Sequence, residues 1–501
     1  MFNIPQAAQP SYDVNAVREA TAKAPLWVHF GAGNIFRAFI AALQDDLLNK
    51  GLCNRGVIAA EPFDPEIIEA VYRPYGNRAL LVTLRADGST RLAVSASVTE
   101  ALAPLPGTPD HQRLVEVMEA PSLQMASFTI TEKGYRGPVT ELLAGLMRGR
   151  YRAGGAPLAL VSMDNCSRNG ELLRSAVLEA AKAYGDGGFS AYLSDPSRVS
   201  FPWSMIDKIT PAPSPDVQKT LPNPADWSPT RTARGTVVAP FVNAEEPQYL
   251  VIEDSFPNGR LPLEKAGVYF TDRETVRRAE RMKVTACLNP LHTALAVFGS
   301  LLRIGTIADC MKDPDLAALA RRIGYDEGLP AVEHPGIFEP KDFLDEVVTK
   351  RLVNPFLPDT PARIASDTSQ KLPFRFGGTI KAYAAREELS ADDLTAIPLV
   401  LAGWVRYLME TGDDGGPLAL SPDPMLPRLT AALKDVRFGE PLTAKNARAV
   451  FADAALFGCD LYAAGLGARC EDHLAAMLKG PGAVRERLRI SLSPARPSAA
   501  P

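Results

Sequence analysis

Three stretches of the chain gather residue types that do chemistry. In the first, Gly31 and Gly33 follow a strand-like apolar run and open a helical pattern. A glycine turn at that junction lets the backbone come close to a pyrophosphate at a helix N-terminus. Asn34, Phe36 and Arg37 complete the stretch as candidate cofactor contacts, with Arg37 one helical turn past Gly33, where a guanidinium can reach a phosphate. The usual third glycine would fall at Phe36, so a plain strand-to-helix turn with a solvated Arg37 stays open. Glu61 ends the next strand-like run. An acid there accepts from both ribose hydroxyls and repels a 2′-phosphate, which favours NAD over NADP. The other reading makes Glu61 a turn residue before Pro62, with Asp64 and Pro65 opening a helix.

In the second stretch, Asp164 and Asn165 directly follow the apolar run 158–163. Ligands of an open α/β sheet lie beyond the C-terminal ends of its strands. This places Asp164 as a cofactor contact and Asn165 as an amide donor to a developing alkoxide, with a helix cap as the alternative. The third stretch sets Lys283, Asn289 and His292 close together among apolar residues. A desolvated lysine loses proton affinity and acts as a base near neutral pH, while an amide and an imidazole hold the substrate oxygen. A surface lysine, an N-cap asparagine and a core histidine would give the same spacing.

These residues need elements to position them. The apolar run 26–30, a helical pattern over 34–50 and a second run at 56–60 form a βαβ unit. Runs at 79–84 and 91–96 flank Asp87-Gly88, a hairpin signal. Strand-like runs at 123–130 and 158–163 alternate with helical patterns at 139–152 and 170–184, the grammar of an open, mostly parallel α/β sheet. The segment 210–229 holds six prolines and predicts a surface excursion, since strand-like runs resume at 236–241 and 249–252. From about 273 the pattern changes to helical period alone, over 273–287, 291–302, 313–323, 341–352, 393–410, 445–455 and 470–478. The expected fold is α/β, with a Rossmann-like nucleotide-binding domain over 1–272, a mostly α-helical substrate and catalytic domain over 273–492, and a disordered tail over 493–501.

The composition excludes several other classes. The 501 residues carry 54 Lys plus Arg against 58 Asp plus Glu and are 46% hydrophobic, which gives no sign of a nucleic-acid or membrane surface. No apolar run approaches a membrane span of about 18 residues, and the start lacks a signal-peptide order, so the expected location is the cytoplasm. No two of the six cysteines share a Cys-x-x-Cys spacing, and the five histidines form no His-x-x-x-His pair. Neither a disulfide framework nor a metal site is expected.

Taken in order, these stretches resemble the polyol-specific long-chain dehydrogenase/reductase (mannitol dehydrogenase) family, which includes mannitol 2-dehydrogenases and reductases of fructuronate and tagaturonate. The resemblance rests on Gly31 to Ala38, 129–135, Asp164-Asn165, 205–212, 251–260, 350–355, 367–373 and 402–407, and so covers nearly the whole chain. It implies a metal-independent NAD(P) oxidoreductase with its active site between the two domains. The family's catalytic lysine falls on Lys283, its oxyanion asparagines on Asn289 and Asn165, its substrate-binding histidine on His292, and a proton-relaying acid on Glu280. Family substrate contacts fall on Arg351 and Lys371. The blocks at 132–135, 368–373 and 402–407 look more like the fructuronate-reducing members, and Lys133, Lys371 or Arg375 would suit a sugar-acid carboxylate. The expected reaction is D-mannonate and NAD to D-fructuronate and NADH. A mannitol- or arabinitol-type polyol dehydrogenase and a catalytically silent NAD-binding protein remain as alternatives.

The spacing from Lys283 to Asn289 is six residues, where the family shows five. At about 100° per residue, a straight helix would then set Lys283 about 180° from His292. Pro290 also lacks an amide hydrogen and would clash with a carbonyl of the preceding turn. A break or a π-bulge is therefore expected between 283 and 290, with Asn289 as the cap of a new helix.

Overall fold

The computed structural model describes residues 8–129, 132–443, 448 and 450–493. Residues 494–501 of the expected tail and 445–447 and 449 of the expected 445–455 helix lie outside the described residues. The chain divides into two compact units, 1–277 and 278–501. This division falls inside the helix Arg273–Met282, whose first turn belongs to the first unit, and not at 272.

The core of the first unit is a six-stranded parallel sheet made of Trp27–Phe30, Val57–Ala60, Val98–Leu102, Met125–Phe128, Leu158–Ser162 and Val199–Ser200. Numbered along the chain, these strands stand in the order third, second, first, fourth, fifth, sixth. That is the order of a dinucleotide-binding sheet, with its topological switch between the first and fourth strands. The first strand is buried on both faces, which is why it reads as a continuous apolar run. Alternation then sorts its residues between two cores. Trp27 packs with Val57, Ala59, Phe36 and Leu43, while Val28 and Phe30 pack with Ile58, Ala126, Leu143 and Met147.

Two insertions depart from the simple α/β alternation. The hairpin Ala79–Leu84 and Thr90–Ser95 pairs antiparallel, as Asp87-Gly88 predicts, but joins Phe241–Glu245 in a separate three-stranded sheet. Another sheet contains Tyr269–Thr271, Tyr249–Glu253 and Ser204–Asp207. The run 236–241 proves to be two pieces, since Val237–Val238 pairs antiparallel with Thr230–Arg231 and Phe241 begins the next strand. The proline-rich segment is no bare loop: Val217, Leu221 and Trp227 are buried within it.

The second unit is built of helices. Asn289–Leu301 and Ala396–Tyr407 are buried almost throughout and pack on each other. A Cβ at Gly403 would lie 2.6 Å from the Phe298 ring, so only glycine allows this approach. Buried Glu327 caps Ala396–Tyr407, its carboxylate accepting from the amides of Thr395, Ala396 and Ile397 at 2.5–2.8 Å. Three of the expected helices end in wide π-helical turns, at Lys283–Cys287, Arg322–Gly328 and Val347–Arg351. The helical run Arg273–Leu301 is long and apolar enough to cross a membrane by length and composition, against the expectation from uninterrupted apolar runs. Its apolar residues are interspersed with polar ones, and 72% of its most apolar window is buried inside the protein.

Candidate active site

In the first unit the site begins at the turn after the first strand. Gly31 has φ +107°, and a Cβ there would stand 2.7 Å from the Thr129 hydroxyl, so the turn needs glycine. Gly33 faces open space, with no atom within 4 Å of where a Cβ would be. Between them Ala32 is held at both ends of its peptide groups. Its amide donates to Glu61 Oε2 at 2.7 Å, and its carbonyl accepts from the Tyr72 hydroxyl at 2.8 Å. The helix starts at Asn34, whose Nδ2 donates to the Val237 carbonyl at 3.3 Å. A fixed glycine turn with an open face at a helix start fits a dinucleotide pyrophosphate.

The aromatic residue in place of the third glycine has a local explanation. Phe36 lies flat on the His29 ring, with centroids 4.3 Å apart and planes 7° from parallel, and it starts a π-helical turn, Phe36–Ile40. His29 is itself enclosed, with Nδ1 2.6 Å from the Ser127 hydroxyl and Nε2 2.9 Å from that of Thr129. Burial lowers its pKa to about 3, so the ring is neutral. Arg37 is no solvated arginine: it is 2% exposed, lies over the Tyr72 ring and donates to the Pro240 carbonyl at 3.5 Å. Its Nε and Nη1 have no hydrogen-bond partner among the described residues.

Glu61, 5% exposed, is occupied on both oxygens, Oε1 accepting from the amides of Phe63 and Asp64 at 3.0 Å. Burial raises its carboxyl pKa, and the three amides oppose that rise. Glu61 thus ties its own turn to the glycine turn. Asp64 does not cap the next helix but accepts from the hydroxyls of Thr232 and Thr236, both at 2.7 Å.

At the end of the fifth strand, Asp164 accepts from the Tyr135 hydroxyl, from Ser162 Oγ at 2.8 Å and from the Cys166 amide at 2.8 Å. Burial and the adjacent Asp164 raise the Tyr135 hydroxyl far above its ordinary value. Buried Asn169 adds bonds to the carbonyls of Ser162, Asp164 and Ser204. Asn165 is exposed on this braced loop. Neither Tyr135 nor Asn169 stands out in the sequence, though Asn169 precedes Gly170, whose Cβ would strike the Phe201 carbonyl at 2.5 Å. The side chain of Lys133 lies outside the described residues.

The second unit carries the other candidates. The six-residue spacing is absorbed by the π-helical turn Lys283–Cys287, closed by the Leu288 amide on the Lys283 carbonyl at 3.2 Å. The cap of the following helix is Leu288, and Asn289 is its first residue. Lys283 is 8% exposed, so its amine is not directed into solvent as an unbroken helix would have it. Asn289 and His292 are three apart on one helix and share a face. His292 is 9% exposed, with Nε2 3.9 Å from Asp359 Oδ2. Burial lowers its pKa to about 4; Asp359 opposes this, while Arg351, Arg375 and Arg363 add to it. Arg351 is buried at the end of the π-helical turn Val347–Arg351. Arg375 donates to Thr293 Oγ1 at 2.6 Å and the Asn289 carbonyl at 3.5 Å. Lys371 donates to the carbonyls of Ser366 and Ile364. Glu280 is part-buried in the helix Arg273–Met282. The structure thus brings His292, Asn289, Arg351 and Arg375 together.

Two family models cover most of the chain: the mannitol dehydrogenase Rossmann domain over residues 26–265 and the mannitol dehydrogenase C-terminal domain over 275–478. The chain belongs to the mannitol dehydrogenase family. Among its relatives, a D-mannonate oxidoreductase of Thermotoga maritima is 47% identical, covering 96% of this chain and 94% of the relative. A mannitol 2-dehydrogenase of Cereibacter sphaeroides is 30% identical over 81% of this chain and 84% of its own. A substrate-free D-sorbitol dehydrogenase structure shares the fold, with TM-score 0.79 at 23% identity over 98% of both chains. In this family member, Phe36 and the Lys283-to-Asn289 spacing, the two irregular features of the sequence, are both accommodated by π-helical turns.

Proposed function

We propose that the chain is an NAD-dependent oxidoreductase that interconverts D-mannonate and D-fructuronate, acting on a small sugar acid without a metal. The observation that carries this reading is the 47% identity to a D-mannonate oxidoreductase over nearly the full length of both chains. The Gly31–Gly33 turn and the helix start at Asn34 hold the cofactor's pyrophosphate, with Phe36 and Arg37 supporting that turn from beneath. Glu61, with both oxygens taken by backbone amides, shapes this turn rather than meeting the ribose itself, and Asp164 stands just past the C-terminal end of the fifth strand, where ligands of such a sheet lie. When bound, NAD supplies the hydride acceptor.

The remaining chemistry belongs to this chain's side chains. Lys283 Nζ takes the hydroxyl proton in the oxidative direction and passes it on through Glu280. Asn289 and Asn165 donate to the developing alkoxide, and neutral His292 hydrogen-bonds the same oxygen. Arg351 and Lys371 hold the rest of the substrate. The six cysteines are all free, which suits a reducing compartment, and a cytoplasmic location belongs to the same proposal.

Oxidation of D-mannonate, followed by absorbance at 340 nm with NAD and with NADP, tests the reading. Turnover of D-mannonate well above that of D-mannitol, with NAD preferred, is the expected result. Faster turnover of D-mannitol would select the polyol dehydrogenase, and no turnover of either would select the silent binder.

A further inference from the structure

The helical unit contains a cation whose surroundings leave its charge uncompensated. Arg375 ends the helix Thr368–Arg375, and its Nη1 is spent on two neutral oxygens, the Thr293 hydroxyl and the Asn289 carbonyl. No carboxylate among the described residues pairs with it, and burial alone pulls its pKa down to about 10. Its Nε and Nη2 make no hydrogen bond among the described residues, and Arg375 is only partly buried, so this edge of the guanidinium is left for a ligand to meet. The other cations nearby are differently balanced. Arg363 pairs with Asp359, and Lys371 gives two of its three N–H donors to backbone carbonyls, with Asp367 and Asp423 near it. A half-buried guanidinium with one free edge and no counter-ion is costly unless a ligand supplies the anion.

We propose that the open edge of Arg375 receives the carboxylate of the substrate in a two-bonded fork and so selects sugar acids over neutral polyols. The placement follows from the helix. Asn289, His292 and Thr293 share one face, three and four residues apart. Arg375 is fastened to the first and last of these. A substrate whose reacting oxygen is held by Asn289 and His292 therefore extends its chain past Arg375. In fructuronate the ketone lies near one end of the carbon chain and the carboxylate at the other, which matches this offset. Planar, bidentate recognition of a carboxylate is the task for which arginine is suited and lysine is not.

This inference rests on the sugar-acid reading above, and the test separates the two. If the wild-type enzyme fails to oxidise D-mannonate, the sugar-acid reading falls, whatever Arg375 does. Given wild-type turnover, Arg375→Met is expected to raise KM for D-mannonate about 100-fold while KM for NAD stays within twofold. Arg375→Lys, which keeps the charge but loses the fork, should restore only part of that affinity. Wild-type-like KM for D-mannonate in Arg375→Met would overturn the assignment. So would a rise in KM for NAD in step with it, which would mark general damage. Should Arg375→Met fail to fold, Arg375→Lys decides alone. A KM raised about tenfold supports the fork, and one within twofold of wild type overturns it.

Discussion

Around Ala32 in the first unit, the amide has Glu61, the carbonyl has Tyr72, and the acid that holds the amide is itself held by two further amides. Around His292 in the second unit, several arginines act on a neutral imidazole, and one of them, Arg375, has no carboxylate partner among the described residues. The turn around Ala32 is a closed hydrogen-bond network, and the Arg37 guanidinium near it, though short of partners, is enclosed at 2% exposure. The helical site is left with a charge for the ligand to complete. A dinucleotide shared by many enzymes can be recognised through backbone shape, whereas choosing among sugars of similar size needs a charge that only one class can answer.

Five changes would break or sharpen this contrast. The largest effect belongs to Lys283→Ala, expected to lower kcat about 10³-fold in both directions while leaving NADH affinity, set in the other unit, unchanged. Turnover within threefold of wild type would remove Lys283 from the chemistry. Next, Asn289→Ala and Asn165→Ala should each lower kcat about 10²-fold through loss of one oxyanion donor, measured by steady-state kinetics at saturating NAD.

A feature common to both units gives a smaller effect on stability. His29, His292 and His473 are held neutral, at about 3, 4 and 4. The unfolded chain binds protons on these rings near the ordinary value of about 6.5, so it gains protons first as pH falls, and stability drops between there and pH 4. Denaturant titrations at pH 7 and pH 5 should differ by on the order of 1–2 kcal/mol per imidazole, with the lower pH less stable. A flat profile would show that these rings already carry protons in the fold. The smallest effect is that of Glu61→Gln, which disturbs the clamp on Ala32. KM for NAD should rise about tenfold, with KM for D-mannonate unmoved.

The sequence made the architecture legible where local pattern decides it. The continuous apolar strand 26–30, the glycine turn and the switch to helical period near 273 all reappear as expected. The strand Val98–Leu102 carries no such signal: it is the edge strand of the sheet and has Thr99 and Glu100 within it, so its pattern lacks an uninterrupted apolar run. The six-residue spacing after Lys283 made the wide turn legible, because helix geometry and Pro290 leave few other solutions. The partners of Glu61, the stacking of Phe36 on His29 and the meeting of His292 with Arg351 and Arg375 were hidden. Each joins residues far apart in the chain, and nothing in local composition encodes that meeting.

The most direct test of the central claim is the ratio of kcat/KM for D-fructuronate to that for D-fructose, both reduced by the wild-type enzyme at saturating NADH. The two ketoses differ chiefly in the terminal carboxylate. A site completed by an anion should favour the acid by about 10³-fold or more, since the neutral sugar leaves the half-buried guanidinium unanswered. A ratio near one, or in favour of D-fructose, would contradict the account.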